Sequence, residues 1–178
     1  KWKKDQFGKS WQLGETLHAG IGQGYVLTTP IQLALMMSRL CNGGLAIKPR
    51  LILDNVDQSK VERINISKKS LDLVLEGLNL VTNSSMGTAF KARIRDTNWQ
   101  IIGKTGTSQV RSISQMERET RVLKNNERPW EERDHALYVA AFPKKSLTYA
   151  VSVVVEHGGS GSTTAAPIAK DIFEYMKK

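Results

Sequence analysis

Residues 100–110 read QIIGKTGTSQV, and the Gly-Lys-Thr at positions 103–105 admits two readings. A phosphate-binding loop requires G-x-x-x-x-G-K-[ST] between a strand and a helix. The residue five before Gly103 is Asn98, not glycine, and the TSQV that follows starts no amphipathic helix. The phosphate-loop reading fails on both counts. The second reading makes the stretch a strand on the rim of a cleft. Lys104 then projects a cation, Gly106 leaves bare surface for a ligand to lie against, and Thr105 and Thr107 offer hydroxyls to an anion. A period of two puts Lys104 and Gly106 on one face and Thr105 and Thr107 on the other. Thr105 also fits a plain strand residue facing the core. K-[ST]-G is a common tripeptide, so its flanks must decide.

On the C-terminal side, residues 111–134 hold six basic and six acidic residues, a balance that suits a solvated excursion rather than a binding patch. Within it, Ser114 and Glu117 have the spacing of a capping box. HALYVAAF (135–142) and SLTYAVSVVVEH (146–157) are β-rich runs joined at Pro143-Lys144-Lys145, which predicts a hairpin. GGSGSTTAAP (158–167) reads as a loop into a last helix, whose apolar face is Ala165, Ile168, Ala169, Ile172, Phe173 and Met176.

On the N-terminal side, residues 1–24 read as irregular, because glycine recurs at positions 8, 14, 20, 22 and 24. Gly22, Gln23 and Gly24 read as a structural turn supporting the site, not as catalytic residues. Thr29, Pro30 and Gln32 then form a helix start with a capping box. The run IQLALMMSRLC (31–41) is apolar on most sides, which predicts deep burial, and Asn42, Gly43 and Gly44 stop it. LAIKPRLILDNV (45–56) looks extended, with Pro49 marking an edge or a break. Ser67 caps a second helix to about Thr82, with Leu71, Val74, Leu75, Leu78 and Val81 as its buried stripe. NSSMGTA (83–89) is a turn, and AFKARI (89–94) a short helix after Thr88. Helices around strands joined by a tight hairpin give an α/β layered or α+β class: an antiparallel sheet flanked by helices. No βαβ alternation and no internal repeat is present.

The totals are those of an ordinary globular domain or a large piece of one: 178 residues, 40% hydrophobic and 24% charged, which argues against disorder. The formal net charge is +9. Such a surface attracts nucleic acid, anionic head groups or a carboxylate-rich polymer, or is simply a soluble basic surface. The single cysteine, Cys41, lies in the apolar helix and reads as a small buried hydrophobe. No apolar run approaches 18 residues. The chain starts at Lys1 with no signal-peptide pattern, so it reads as a segment of a longer polypeptide. His18 and His135 read as isolated, and His157, before GGSG, as structural. These histidines and Cys41 lack zinc-like spacing, so no metal and no cofactor are expected.

Five blocks in order carry far more information than the tripeptide: GETLHAGIGQGYVLTTPIQLALMMSRLCNGG (14–44), MGTA (86–89), GKTGTSQV (103–110), HALYVAAFP (135–143) and YAVSVVVEHGGSGSTTAAPIA (149–169). Through them the chain resembles class B penicillin-binding proteins, the penicillin-binding protein 2 branch most closely, from about Trp11 to its end. The resemblance implies a β-lactamase/transpeptidase-like fold, with residues 1–178 as the C-terminal portion of a transpeptidase domain. It implies peptidoglycan D,D-transpeptidation, a serine acyl transfer that cross-links stem peptides. Stem peptides and β-lactam antibiotics are then the ligands, and a membrane glycosyltransferase is the partner of the parent protein, with no nucleic acid. The implied location is the periplasmic face of the bacterial inner membrane.

Residue by residue, the resemblance makes Lys104 a cation near the substrate carboxylate and the proton network of the serine. It makes Thr105 and Thr107 hydroxyl donors to that carboxylate, Gly106 the residue that keeps the strand open, and the Thr107 backbone N–H one of two oxyanion-hole donors. The family's S-x-x-K and S-x-N motifs are absent: no serine stands three before a lysine or two before an asparagine, and the nearest variant is Thr88-Ala-Phe-Lys91. They are expected upstream of Lys1, which would leave this chain inactive alone. Two alternatives remain: a fragment of a serine β-lactamase or penicillin-sensing receptor, and a basic nucleic-acid-binding module.

Overall fold

The computed structural model describes residues 1–52, 61–143, 145 and 149–177. The elements are α1 (Trp2–Phe7), α2 (Leu13–Gly20), α3 (Pro30–Cys41), α4 (Lys68–Asn83), β1 (Ile102–Ser108), α5 (Gln115–Glu119), β2 (His135–Phe142), β3 (Tyr149–Val155) and α6 (Ala166–Met176). None of the described helices is long and apolar enough to cross a membrane.

The three strands form one antiparallel sheet in the order β1-β2-β3, with Thr105 opposite Tyr138 and Tyr138 opposite Val153. Alternation along β1 and β2 sends two sets of side chains to opposite faces. Ile102, Val139 and Ala141 pack against Met37 of α3 and Leu78 of α4. Ala136, Tyr138, Ala140 and Phe142 pack against Ala166, Ala169 and Phe173 of α6 and against Ala89 and Ala92 beside the 3-10 turn Phe90–Ala92. Phe142 lies between Trp99, at 5.4 Å between ring centroids, and Phe173, at 4.6 Å. The architecture is therefore an antiparallel sheet between helical layers, as the order of elements predicts.

Local chemistry sets most boundaries. Thr29 accepts from the Gln32 N–H and Gln32 returns the bond, with Pro30 at the first helical position. Ser67 caps α4, and Ser114 and Glu117 close a capping box on α5. Gly43 and Gly44, at φ of +79° and +87°, end the chain path out of α3. The excursion at 111–134 is held by its own ion pairs: Arg111 with Glu117, Arg121 with Glu127 at 3.0 Å, and Arg128 with Asp134 at 3.5 Å. The Arg111 guanidinium, bonded across both oxygens of Glu117, brings that carboxyl down to about 2. Cys41 is half-buried, its Sγ is 3.6 Å from Met37 Sδ, and burial pushes its thiol up to about 11. It behaves as a small hydrophobe.

Several expectations are corrected. Residues 1–24 are not irregular: they hold α1 and α2. Gly8, at φ +65°, caps α1, and Gly20 is the last residue of α2, so these glycines punctuate helices rather than replace them. Lys3 pairs with Glu15 between the two helices. GIGQG itself does turn, with Gly22 and Gly24 at positive φ. Deep burial of α3 is wrong too. Met37 is its one buried residue, packed toward the sheet, most other positions are only partly covered, and Ile31 is 59% exposed.

On α4, Leu71 and Leu78 are buried but Val74 is exposed, and Thr82 is buried through a 2.8 Å hydrogen bond with Tyr138 Oη. On α6, Ala166, Ala169 and Phe173 are buried against the sheet, but Ile168, Ile172 and Met176, expected on the same apolar face, are exposed. The alanines let the helix come close to the sheet. GGSGSTTAAP is not all loop, since Gly161–Ala165 make a π-helical turn that runs into α6. Leu45 bridges Arg63 within the stretch that reads as extended, whose residues 53–56 lie outside the described set. Most of the connection after Pro143 does too.

Candidate active site

β1 pairs with β2 along one side, and no other described strand lies against its second edge. In an antiparallel ladder a residue's N–H and C=O leave the strand on the same side, and the side alternates along the chain. The Thr105 carbonyl accepts from Lys104 Nζ at 2.7 Å, and the Thr107 carbonyl from Gln23 Nε2 at 2.9 Å. Just before the strand, the Ile101 carbonyl accepts from Asn83 Nδ2 at 2.9 Å. All three partners are side chains, so the odd-numbered residues turn their polar groups away from β2. The Thr105 and Thr107 N–H groups therefore point along the open edge.

Lys104 is exposed and shares its face with Gly106. Its ammonium curls back to the edge at Thr105, so the charge sits beside the outward N–H groups rather than over the sheet. A Cβ added at Gly106 would meet Leu137 Cβ at 3.4 Å and nothing closer. Packing on that face does not demand glycine; glycine leaves bare surface next to Lys104. Thr105 is half-buried, and its Oγ1 is 2.9 Å from Thr88 Oγ1. Thr107 is exposed. Lys104, Thr105, Gly106 and Thr107 thus form a polar, cationic rim with free backbone donors, suited to an anion that also presents a carbonyl.

Three contributors beyond the strand tripeptide hold this rim. Gln23, at the centre of GIGQG, reaches across from the turn to the Thr107 carbonyl. Thr88 meets Thr105. Gly161, which reads as a loop residue in sequence, lies on the sheet itself: an added Cβ would stand 2.2 Å from the Leu137 carbonyl oxygen and 2.5 Å from that of Gly106. The alternation of glycine in GGSG was the available signal, since close backbone approach requires glycine. Gly103, the residue the phosphate-loop reading needed, serves packing instead. Tyr138 passes beneath it to reach Thr82.

The histidines require a correction. His135 is not isolated: its Nδ1 accepts from the His157 N–H at 2.9 Å, and the two rings lie 4.8 Å apart. His157 bonds the Arg133 carbonyl through Nδ1, packs on Trp130, and takes φ +54°. These contacts tie the end of β3 to the excursion. Among the described residues, no group of three or more His, Cys, Asp or Glu side chains could hold a metal ion.

Comparison with known proteins shows the family. The penicillin binding protein transpeptidase domain matches residues 3–174. Peptidoglycan D,D-transpeptidase MrdA of Salmonella typhimurium is 32% identical over 98% of this chain and 29% of its own length. The Haemophilus influenzae MrdA is 33% identical over 98% of this chain and 28% of its own. Among solved structures, Pseudomonas aeruginosa PBP2 in complex with WCK 5153 superposes with a TM-score of 0.76, at 36% identity, over 98% of this chain and 35% of that one. Helicobacter pylori PBP2, solved in complex with MreC, gives a TM-score of 0.79 at 26% identity, over 99% of this chain and 30% of that one. The chain therefore spans less than a third of the length of the curated relatives it matches. A strand with an open cationic edge, set between helical layers, and a family match over nearly every residue lead to one conclusion: this chain belongs to the penicillin-binding protein transpeptidase domain family.

Proposed function

We propose that these residues form the substrate-side wall of a peptidoglycan D,D-transpeptidase that works by serine acyl transfer and binds β-lactams. The open edge of β1 carries this reading, because it brings one ammonium, the hydroxyls of Thr105 and Thr107 and outward N–H groups together on one short strand. Acyl transfer needs a nucleophile, a base, an oxyanion hole and a grip on the substrate. Lys104 and the hydroxyls of Thr105 and Thr107 supply the grip on a terminal carboxylate. The Thr107 N–H supplies one oxyanion donor. A stem peptide lying along the edge gains backbone hydrogen bonds, as in strand addition, and Gly106 gives it room.

The nucleophile is the missing part. No S-x-x-K or S-x-N occurs in the 178 residues, so we place the serine, its base and the second oxyanion donor elsewhere in a longer polypeptide. The chain alone is then inactive. For that polypeptide we propose the periplasmic face of the inner membrane and a membrane glycosyltransferase partner. The nucleic-acid reading is disfavoured, because three of the six basic residues of the excursion, Arg111, Arg121 and Arg128, are held by acids in ion pairs.

A fluorescent penicillin tests the reading. The 178-residue chain is expected to take no covalent label, and a polypeptide carrying S-x-x-K and S-x-N together with these residues is expected to be labelled. Labelling of the 178-residue chain would overturn the assignment of the nucleophile.

A further inference from the structure

Thr88 was singled out in sequence as the start of Thr88-Ala-Phe-Lys91, the nearest approach to a nucleophile motif. The structure gives it a different neighbour: its hydroxyl lies 2.9 Å from that of Thr105. Two hydroxyls at this distance share one proton between them. Each has one proton and two lone pairs, so the direction of the bond decides what Thr105 can offer to the open edge. If Thr105 donates to Thr88, its proton is spent. If Thr88 donates to Thr105, the Thr105 proton is free, and an anion at the edge favours that direction. The two bonds then reinforce each other, since a hydroxyl that accepts becomes a better donor.

The mount of Thr88 is rigid. Before it, Gly87 is pressed against the end of α4: an added Cβ would stand 2.3 Å from the carbonyl oxygens of both Leu80 and Val81. After it, Ala89 is buried and donates its N–H to the Val81 carbonyl at 2.9 Å. The Phe90 N–H closes the turn on the Gly87 carbonyl at 3.1 Å. α4 is in turn tied to the start of β1 by Asn83 and the Ile101 carbonyl. The Thr88 hydroxyl therefore holds a fixed place relative to the strand, which is what a positioning group needs.

We infer that Thr88 is a positioning residue for carboxylate recognition: by donating to Thr105 Oγ1, it turns the Thr105 proton toward a carboxylate at the open edge of β1. The inference rests on the reading of that edge as a carboxylate site. Thr88 itself touches no substrate atom in this scheme.

The test titrates the 178-residue chain with N-acetyl-D-alanyl-D-alanine and with its C-terminal amide, following the backbone amide resonances of Thr105 and Thr107. Thr88→Val keeps shape and removes the hydroxyl; Thr88→Ser keeps the hydroxyl. Thr88→Val is expected to weaken the carboxylate peptide about tenfold, the scale of a hydrogen bond to a charged group, and to leave the amide peptide unchanged. Thr88→Ser is expected to restore the carboxylate affinity. In a Thr105→Val background, Thr88→Val should have no further effect, because the two act as one unit. Equal weakening of both peptides would mean a structural role and overturn the inference, as would wild-type affinity in Thr88→Val or additive effects in the double variant. A wild-type chain that fails to prefer the carboxylate over the amide would overturn the reading of the edge itself, and the inference with it.

Discussion

Replacing Gly161 with alanine is expected to cost about 3 kcal/mol of stability, the upper part of the range for overpacking, and to disturb the β1 edge. The added Cβ would stand 2.2 Å from the Leu137 carbonyl oxygen, 2.5 Å from the Gly106 carbonyl oxygen and 3.0 Å from the Gly106 nitrogen. All three are backbone atoms of the sheet, so no rotamer change relieves the contact. The π-helical turn must lift instead. That uncovers Ala165 and Ala166, both fully buried, and pulls on α6, whose Ala169 and Phe173 close the same core. It also moves the backbone of Gly106, at the centre of the rim. Urea unfolding gives the measurement. Gly14→Ala is the control: it lies in α2 with nothing within 4 Å of an added Cβ, and is expected to be neutral or slightly stabilising. A Gly161→Ala midpoint equal to wild type would show that the turn does not rest on the sheet.

Gly103→Ala is expected to cost a similar amount, about 3 kcal/mol, by a different route. Its Cβ would meet Tyr138 Oη at 2.5 Å, Tyr138 Cζ at 2.6 Å and the Val139 carbonyl oxygen at 2.6 Å. Tyr138 can escape only by leaving its place under the strand. Thr82, fully buried, then loses its hydrogen-bond partner. The displacement has its own spectroscopic signature. Burial pushes the Tyr138 phenol up to about 12, although the Thr82 hydrogen bond acts in the opposite direction. A phenol raised in the folded state stabilises the fold fully below its ordinary value of about 10, and this contribution is lost as pH rises toward the folded value. In Gly103→Ala the Tyr138 titration, read by ultraviolet absorbance against Tyr138→Phe, should move back toward about 10. If the tyrosine still titrates near its wild-type value, Gly103 is not the gap through which it passes.

These two glycines show where sequence reasoning reaches and where it stops. The helix starts at Thr29, Ser67 and Ser114 were legible because a cap and its partner lie three residues apart. The β2–β3 pairing was legible because two β-rich runs flank a short connection. Glycine was ambiguous: the same residue ends a helix at Gly8, turns the chain at Gly22, and lets two backbones touch at Gly161. Only tertiary structure separates these roles. The burial of α3 and α6 was misjudged for a related reason. Apolar composition says that a helix can be covered, but the neighbouring sheet decides which stripe is.

The rim was legible as Lys104, Thr105, Gly106 and Thr107, since strand alternation and residue chemistry are local properties. Its supports were not. Gln23 and Thr107 are 84 residues apart, and Thr88 and Thr105 are 17 apart with the 3-10 turn Phe90–Ala92 between them. No periodicity links such pairs.

In the proposed function, the open edge of β1 grips a carboxylate through Lys104 and Thr105 while the Thr107 N–H faces the bound carbonyl. The most direct measurement maps N-acetyl-D-alanyl-D-alanine onto the chain by backbone amide shifts, in wild type and in Lys104→Ala. The largest shifts are expected at Thr105 and Thr107, with binding weakened by salt and at least about tenfold weaker in Lys104→Ala. Shifts that cluster elsewhere, or an affinity unchanged in Lys104→Ala, would contradict it.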